Sequence, residues 1–391
     1  MQPTDFTDLS PGRLTPVDGA VAFVPAPLPD ELPLDGPTTA LLGEAEHAVG
    51  RLAGTTRNLV NPYLVASPLM RREAILSSRI EGTFSTPEQL ALLEAGGLDL
   101  ERGSGGKDTL EVRNYIRAME HGLSSPLPLS LRLIRELHRV LLEGTRGDRA
   151  MAGEFRKTQN FIGSPGDTLA SARYVPPPAD EMRSCLHELE MRLNRDDERL
   201  PFLVKVAAVH YQFEAIHPFL DGNGRVGRLL IALMFVRSGR LSEPVMYLSA
   251  FFERHRQEYM DLLLDVSRRG AWMPWVRFFL QGVLESAVDG LHQARALLSL
   301  RQRYHDRFRA DRSFGYLQTL IDDLFRTPAV TIARIAERLE VTPAAAAGHV
   351  RKLVEAGVLR EATGRRRGRI FVAPQILAFM DNPSPPSAAA S

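Results

Sequence analysis

Two apolar runs, 202–216 and 226–236, are each too long for a strand, and they flank a loop too polar to be a core turn. In the first, Phe202, Leu203, Val206, Val209, His210, Phe213 and Ile216 recur at three- and four-residue steps, the period of a helix. In the second, RVGRLLIALMFVR reads as a largely buried helix. Helical spacing also runs through TTALLGEAEHAVGRLAG and dominates from Thr109 to about Gly290, so the chain is expected to be mainly α. In SPLMRREAILSSRIEG, Ser67 as N-cap, Pro68 at the first helical position and Gly82 as the stop predict a helix over about 67–82.

At 391 residues and 44% hydrophobic content, two or three domains are expected. The spacing divides the chain into an N-terminal helical region, 1–105, a core, 106–290, a linking helix, 291–312, a small module, 313–376, and a disordered tail, 377–391. Residues 1–36 read as an extended arm, and the Gly-rich stretch GGLDLERGSGGKD separates the N-terminal region from the core. Lys and Arg number 48 against 47 Asp and Glu, so any basic surface must be local. Cys185 is alone, which excludes an internal disulfide and a cysteine-rich metal site, and its helical setting reads as core packing. MQPTDFTDLSPGRL lacks the layout of a signal peptide, and AVAFVPAPLP is too short and proline-rich to cross a membrane. A soluble, cytoplasmic chain with no membrane partner is expected.

The loop between the apolar runs, HPFLDGNGRVGR, reads as an anion cradle. Gly222 and Gly224 permit close backbone approach, Asn223 offers a polar donor, and the next helix presents unpaired N–H groups at its start. Arg225 and Arg228 suit phosphate oxygens. Asp221 is out of place beside an anion unless it holds a cation, for which Mg²⁺ bridging phosphates is the natural choice. His217 can accept a proton near neutral pH. A base, a metal carboxylate and a cradle with clamping arginines suit phosphoryl or nucleotidyl transfer. Gly222, Gly224 and Gly227 also satisfy G-x-G-x-x-G, with Glu243 near the offset of a ribose-binding acid, but that pattern needs a preceding strand and here a helix precedes it.

His217 to Arg228, HPFLDGNGRVGR, resembles the complete signature of the Fic family of AMP transferases. The resemblance implies a Fic-type helical core over about 30–290 with a small β-hairpin flap. It implies that His217 deprotonates a Ser, Thr or Tyr hydroxyl of a protein target, which attacks the α-phosphate of ATP. Asp221 would bind Mg²⁺, Gly222, Asn223, Gly224 and Arg225 the α- and β-phosphates, with Val226 and Gly227 completing the nucleotide loop, and Arg228 the γ-phosphate. The irregular stretch Thr158 to Val175 resembles the family's flap, with Phe161-Ile162 and Arg173-Tyr174-Val175 as a short hairpin and Ile162 and Gly163 against the nucleotide. Tyr259 either lines the adenine or is a half-buried packing aromatic. Ser77, Glu81 and Gly82 in SSRIEG are similar to the family's inhibitory motif, in which Glu81 would occupy Arg228 in cis and misplace the γ-phosphate. The same glutamate could orient a water for AMP removal.

In the module, Ile332, Ile335, Ala336 and Leu339 mark one apolar face, Thr342 and Pro343 open a second helix, and Val350, Leu353 and Val354 bury it. Two strands around Gly364-Arg365-Arg366-Arg367-Gly368 follow, so the module resembles a winged helix. Such a module serves DNA contact, protein docking or a homodimer, or its arginines are a solvated cluster. A transcription regulator whose core only senses nucleotide is the competing class, but a sensor needs no base at His217.

Overall fold

A computed structural model of the chain describes residues 1–57, 59–97, 104–145, 147, 151–195 and 199–381. In chain order the elements are β1 (Gly12–Val17), β2 (Ala20–Pro25), α1 (Gly36–Arg57), α2 (Tyr63–Ile80), α3 (Pro87–Glu94), α4 (Ser104–Ser124), α5 (Leu131–Leu142) and α6 (Ala179–Asn194). They continue as α7 (Phe202–Ile216), α8 (Asn223–Arg237), α9 (Ser249–Arg254), α10 (Arg256–Arg269) and α11 (Trp272–Phe308). Last come α12 (Phe314–Arg326), β3 (Ala329–Thr331), α13 (Ile332–Leu339), α14 (Pro343–Glu355), β4 (Arg360–Glu361), β5 (Ile370–Val372) and α15 (Pro374–Asp381). Contacts divide the chain into one unit of 1–49, 117–239 and 251–285 and another of 50–116, 240–250 and 286–391. This division cuts across the boundaries read from sequence, because N-terminal helices and the C-terminal module share a unit.

The first unit is organised around α7, whose residues are buried almost throughout. Helices α6, α8 and α10 and strand β2 pack on it. The N-terminal arm is not simply extended: β1 and β2 pair antiparallel from Gly12↔Pro25 to Val17↔Ala20. Asp18 and Gly19 turn the chain at φ of 42° and 76°, the left-handed pair that a two-residue hairpin turn requires. Ala22, Phe23 and Val24 of β2 are buried, and the Phe23 N–H donates to the Val175 carbonyl at 2.9 Å, seating the hairpin on the end of the irregular loop.

In the second unit α2 packs against α3, α12 and α15, and α3 against β3, β5 and α15. The antiparallel sheet runs β3-β5-β4, with Val372 facing both Ala329 and Arg360. The buried Glu73 carboxylate on α2 accepts from the Tyr115 hydroxyl at 2.9 Å and the Ser249 hydroxyl at 2.6 Å. Helix α2 starts at Tyr63, not at Ser67, because the carbonyls of Asn61 and Pro62 already accept from Leu64, Val65 and Ala66. Pro68 therefore lies inside the helix rather than at its first position. Its end is where glycine chemistry puts it: Glu81 is the C-cap and Gly82 follows at φ 82°.

Three further expectations shift. The linking stretch 291–312 is for the most part the continuation of α11, which runs unbroken from Trp272 to Phe308. Residues 98–103 of the Gly-rich break lie outside the described residues, and the chain is helical again from Ser104. Residues 377–381 of the tail belong to α15, and 382–391 lie outside the described residues. Among the described residues no helix is long and apolar enough to cross a membrane.

Candidate active site

Helix α7 ends at Ile216 and α8 begins at Asn223, and the loop between them is shaped by two left-handed residues. His217 caps α7 at φ 47° and ψ 62°, its N–H donating to the Phe213 carbonyl at 3.0 Å. Gly222 opens α8 at φ 79°, a conformation natural to glycine and strained for histidine. His217 and the start of α8 are therefore held at the two ends of one short, tightly turned segment.

Asn223 braces that segment from within. Its side-chain oxygen accepts from the Phe219 N–H and its amide donates to the Phe219 carbonyl, both at 2.8 Å. The side chain is buried in this pair, so Asn223 is a strut of the loop. Val226 and Gly227 also have structural partners of their own. The Val226 N–H is used inside α8, donating to the Gly222 carbonyl at 3.1 Å, and its side chain is fully buried. Gly227 faces α7, where an added Cβ would overlap the Glu214 carboxylate and crowd His210 and Phe213. It is glycine because two helices meet there. Gly227→Ala should destabilise the protein by about 1–3 kcal/mol, as overpacking does; an unchanged thermal midpoint would contradict this packing account.

Gly222, Gly224 and the buried Arg225 and Arg228 remain at the helix start with the partial positive charge of its unpaired N–H groups. The Asp221 side chain is 51% exposed, and its Oδ1 accepts from the Gly222 N–H at 2.6 Å and lies 3.6 Å from Arg225 Nη2. Among the described residues no group of three or more His, Cys, Asp or Glu could enclose a metal. One half-exposed carboxylate beside an anion cradle fits an ion held mostly by phosphate and water, as Mg²⁺ is.

Residues outside the loop hold it from behind. His138 on α5 is fully buried, stacks on Phe219 with ring centroids 3.7 Å apart, and accepts from the Gly153 N–H through Nδ1 at 2.9 Å. Its hydrogen is therefore on Nε2, which donates to the Asp221 carbonyl at 3.0 Å. Burial lowers its pKa to about 4, so the ring is neutral. Sequence reasoning passed over His138, although a histidine among Leu133, Ile134, Leu137 and Leu141 on one helix face was a signal. It also passed over Arg156, whose guanidinium reaches the His217 carbonyl, and Asn160, whose amide donates to the Phe219 carbonyl at 2.9 Å. Nothing in GEFRKTQN marks that arginine as buried.

The expected hairpin is present in minimal form, as one antiparallel bridge between Ile162 and Tyr174 with both backbone bonds made, at 2.8 and 3.1 Å. The Tyr174 hydroxyl donates to the Ala215 carbonyl at 2.8 Å, and Phe161 and Gly163 are exposed beyond the bridge. Tyr259 is 4% exposed, stacked on Phe252 at 4.4 Å and bonded through its hydroxyl to His210 Nε2 at 2.7 Å. These contacts pack Tyr259 among the aromatic side chains around His210. Ser77 is fully buried on α2, while Glu81 and Gly82 are exposed at its end.

The architecture and site thus define a mainly helical protein in which one short loop joins a left-handed histidine to a glycine- and arginine-rich helix start. The chain carries a Fic/DOC domain: the family model "Fic/DOC family" matches residues 128–235 and "Fic/DOC family N-terminal" matches 39–124. It is 34% identical over 151 residues to a protein adenylyltransferase Fic of Culex quinquefasciatus, covering 38% of this chain and 27% of that one. It is 33% identical over 165 residues to its namesake of Drosophila grimshawi, covering 42% and 30%. The chain thus spans less than a third of the length of these curated relatives. A Fic family protein from Desulfovibrio desulfuricans shares the fold at a TM-score of 0.57 and 18% identity, over 88% of this chain and 97% of its own. A Fic domain containing signaling protein from Bacteroides thetaiotaomicron does so at 0.53 and 20%, over 64% and 97%.

Proposed function

We propose that the protein transfers AMP from ATP to a hydroxyl of a protein target. The observation that carries this reading is His217, held left-handed at the end of α7 and joined by a braced loop to the start of α8. The imidazole takes the proton of the attacking hydroxyl. The oxygen bonds to the α-phosphorus, the bond to the bridging oxygen breaks, and pyrophosphate leaves. The α8 start with Gly222 and Gly224, together with Arg225, receives the α- and β-phosphates, and Arg228 the γ-phosphate. A divalent cation held by the Asp221 carboxylate would neutralise phosphate charge when bound. Ile162 and Tyr174 pair the base of a flap against whose edge a target strand adds. The relatives' printed name, protein adenylyltransferase, supports the same chemistry.

The test is the position of the label. Incubated with cell lysate, the Glu81→Gly variant should place label from the α-phosphate of ATP on protein and none from the γ-phosphate. Label from the γ-phosphate alone would make the protein a kinase instead.

We further propose that Ser77, Glu81 and Gly82 form an inhibitory segment in which Glu81 engages Arg228, and that 313–376 form a winged helix. The order of α12, β3, α13, α14, β4 and β5 and the sheet β3-β5-β4 support the latter. A specific observation favours docking within the chain over DNA. Arg334 donates to the Glu94 carbonyl at 3.1 Å, Arg360 to the Glu88 carboxylate at 2.8 Å and Arg365 to the Gly97 carbonyl at 3.0 Å, all at or near α3. Ile370 fills the space where Gly97 would carry a side chain. The first turn of α14, Pro343 to Ala346, offers no side chain that reads a base edge. In a gel-shift series, duplex DNA at low salt should leave the protein unshifted; a shift that weakens steeply with salt would restore the DNA reading.

A further inference from the structure

Arg156 is 2% exposed, yet among the described residues no carboxylate accepts from its guanidinium. It donates instead to backbone carbonyls: Nε to His217 at 3.0 Å, Nη2 to Ile216 at 3.4 Å and to Pro177, and Nη1 to Thr158 at 3.3 Å. Its own N–H donates to the Pro218 carbonyl at 2.9 Å. Ile216 and His217 end α7, where helical carbonyls have no partner in the helix and a cation is favourable. Thr158 and Pro177 are the two stems of the flap. Burial lowers the Arg156 pKa to about 10, the sign of a charge taken out of water. An apolar side chain of similar length would fill the space without that desolvation. What it could not do is hold three chain segments by their carbonyls.

We propose that Arg156 is a positioning residue for the transfer reaction, its guanidinium tying the backbone of His217 to both stems of the segment that receives the target. The inference rests on the AMP-transfer reading above. Without Arg156, the carbonyls of Ile216 and His217 lose this donor, and the strained left-handed residue can relax towards the helical conformation preceding it. The imidazole then leaves its line to the target hydroxyl. The phosphate cradle is braced separately, by Asn223 on Phe219 and by His138 on the Asp221 carbonyl. Loss of Arg156 should therefore divide the kinetic constants rather than weaken everything.

The experiment places Arg156→Met and Arg156→Lys in the Glu81→Gly background. The rate of AMP incorporation into the protein itself is followed as ATP is varied, and the Kd for ATP is measured by calorimetry. Arg156→Met should lower the maximal rate about 100-fold, the loss that a misplacement of about 1 Å produces. The Kd for ATP should stay within about threefold (about 0.65 kcal/mol at 1.36 kcal/mol per tenfold). Arg156→Lys, still a cation at the end of α7 but short of the flap stems, should recover part of the rate. A maximal rate within threefold of the parent in Arg156→Met, or a Kd for ATP weakened as much as the rate, would overturn the proposal. If the Glu81→Gly parent transfers no AMP, the reading of function fails, and the imidazole NMR resonances of His217 decide the positioning role by themselves. Assigned by their loss in His217→Ala, they should shift in Arg156→Met, and their staying in place would overturn it.

Discussion

His217→Ala in the Glu81→Gly background should lower AMP transfer by about 10²- to 10⁴-fold, the contribution of a positioned general base. ATP binding should persist, because the cradle and its arginines belong to α8 and its braces. Alanine is uncomfortable at φ 47°, so the variant is also expected to lose some stability. His217→Asn provides the control, since asparagine tolerates the left-handed region and is no base at neutral pH. Both variants should be inactive, and residual transfer above a tenth of the parent in His217→Asn would remove the imidazole from the mechanism. The pH dependence gives a second view. Burial lowers His138 to about 4 and His210 to about 3, so neither changes charge near neutrality. A fall in rate on acidification through the ordinary histidine range would therefore belong to neither of them.

Glu81→Gly should raise AMP transfer by about 10- to 100-fold, since a charge-assisted hydrogen bond contributes about 1.5–3 kcal/mol and each 1.36 kcal/mol is tenfold. Stability should change little. Glu81 is the exposed C-cap of α2, where a carboxylate opposes the helix dipole, and Gly82 already supplies the left-handed turn beyond it. The comparison to make is self-modification by the parent and the variant at equal protein and ATP. Equal rates would mean that SSRIEG is a helix end and nothing more. A Glu81→Gln variant with intermediate activity would show that charge, rather than side-chain bulk, imposes the restraint.

Much of this site was legible because its signals are local. The three- and four-residue spacing of Phe202 to Ile216 matches α7, and the glycine after the charged end of SSRIEG matches the close of α2. The Asp18-Gly19 turn was equally local, yet it was overlooked under the prolines around it, and the hairpin went unread. What sequence could not carry was partnership across long separations. That Phe219 uses both ends of the Asn223 amide is invisible in the sequence. That Glu214 stands where a Gly227 side chain would be is equally invisible there. Arg156 and His138 act through backbone carbonyls 61 and 83 residues away, and a carbonyl carries no sequence signature. The start of α2 was misplaced for a simpler reason: Pro68 announces a helix start wherever it stands, and here it stands inside one.

The left-handed backbone at His217 sets chemistry against sterics at one position. Glycine or asparagine would sit there more comfortably, so the imidazole persists only where its chemistry is under selection. In descendants that have abandoned catalysis, this is where drift should relieve the backbone first, and a small residue at the end of the helix before an otherwise intact glycine loop would mark a retired enzyme.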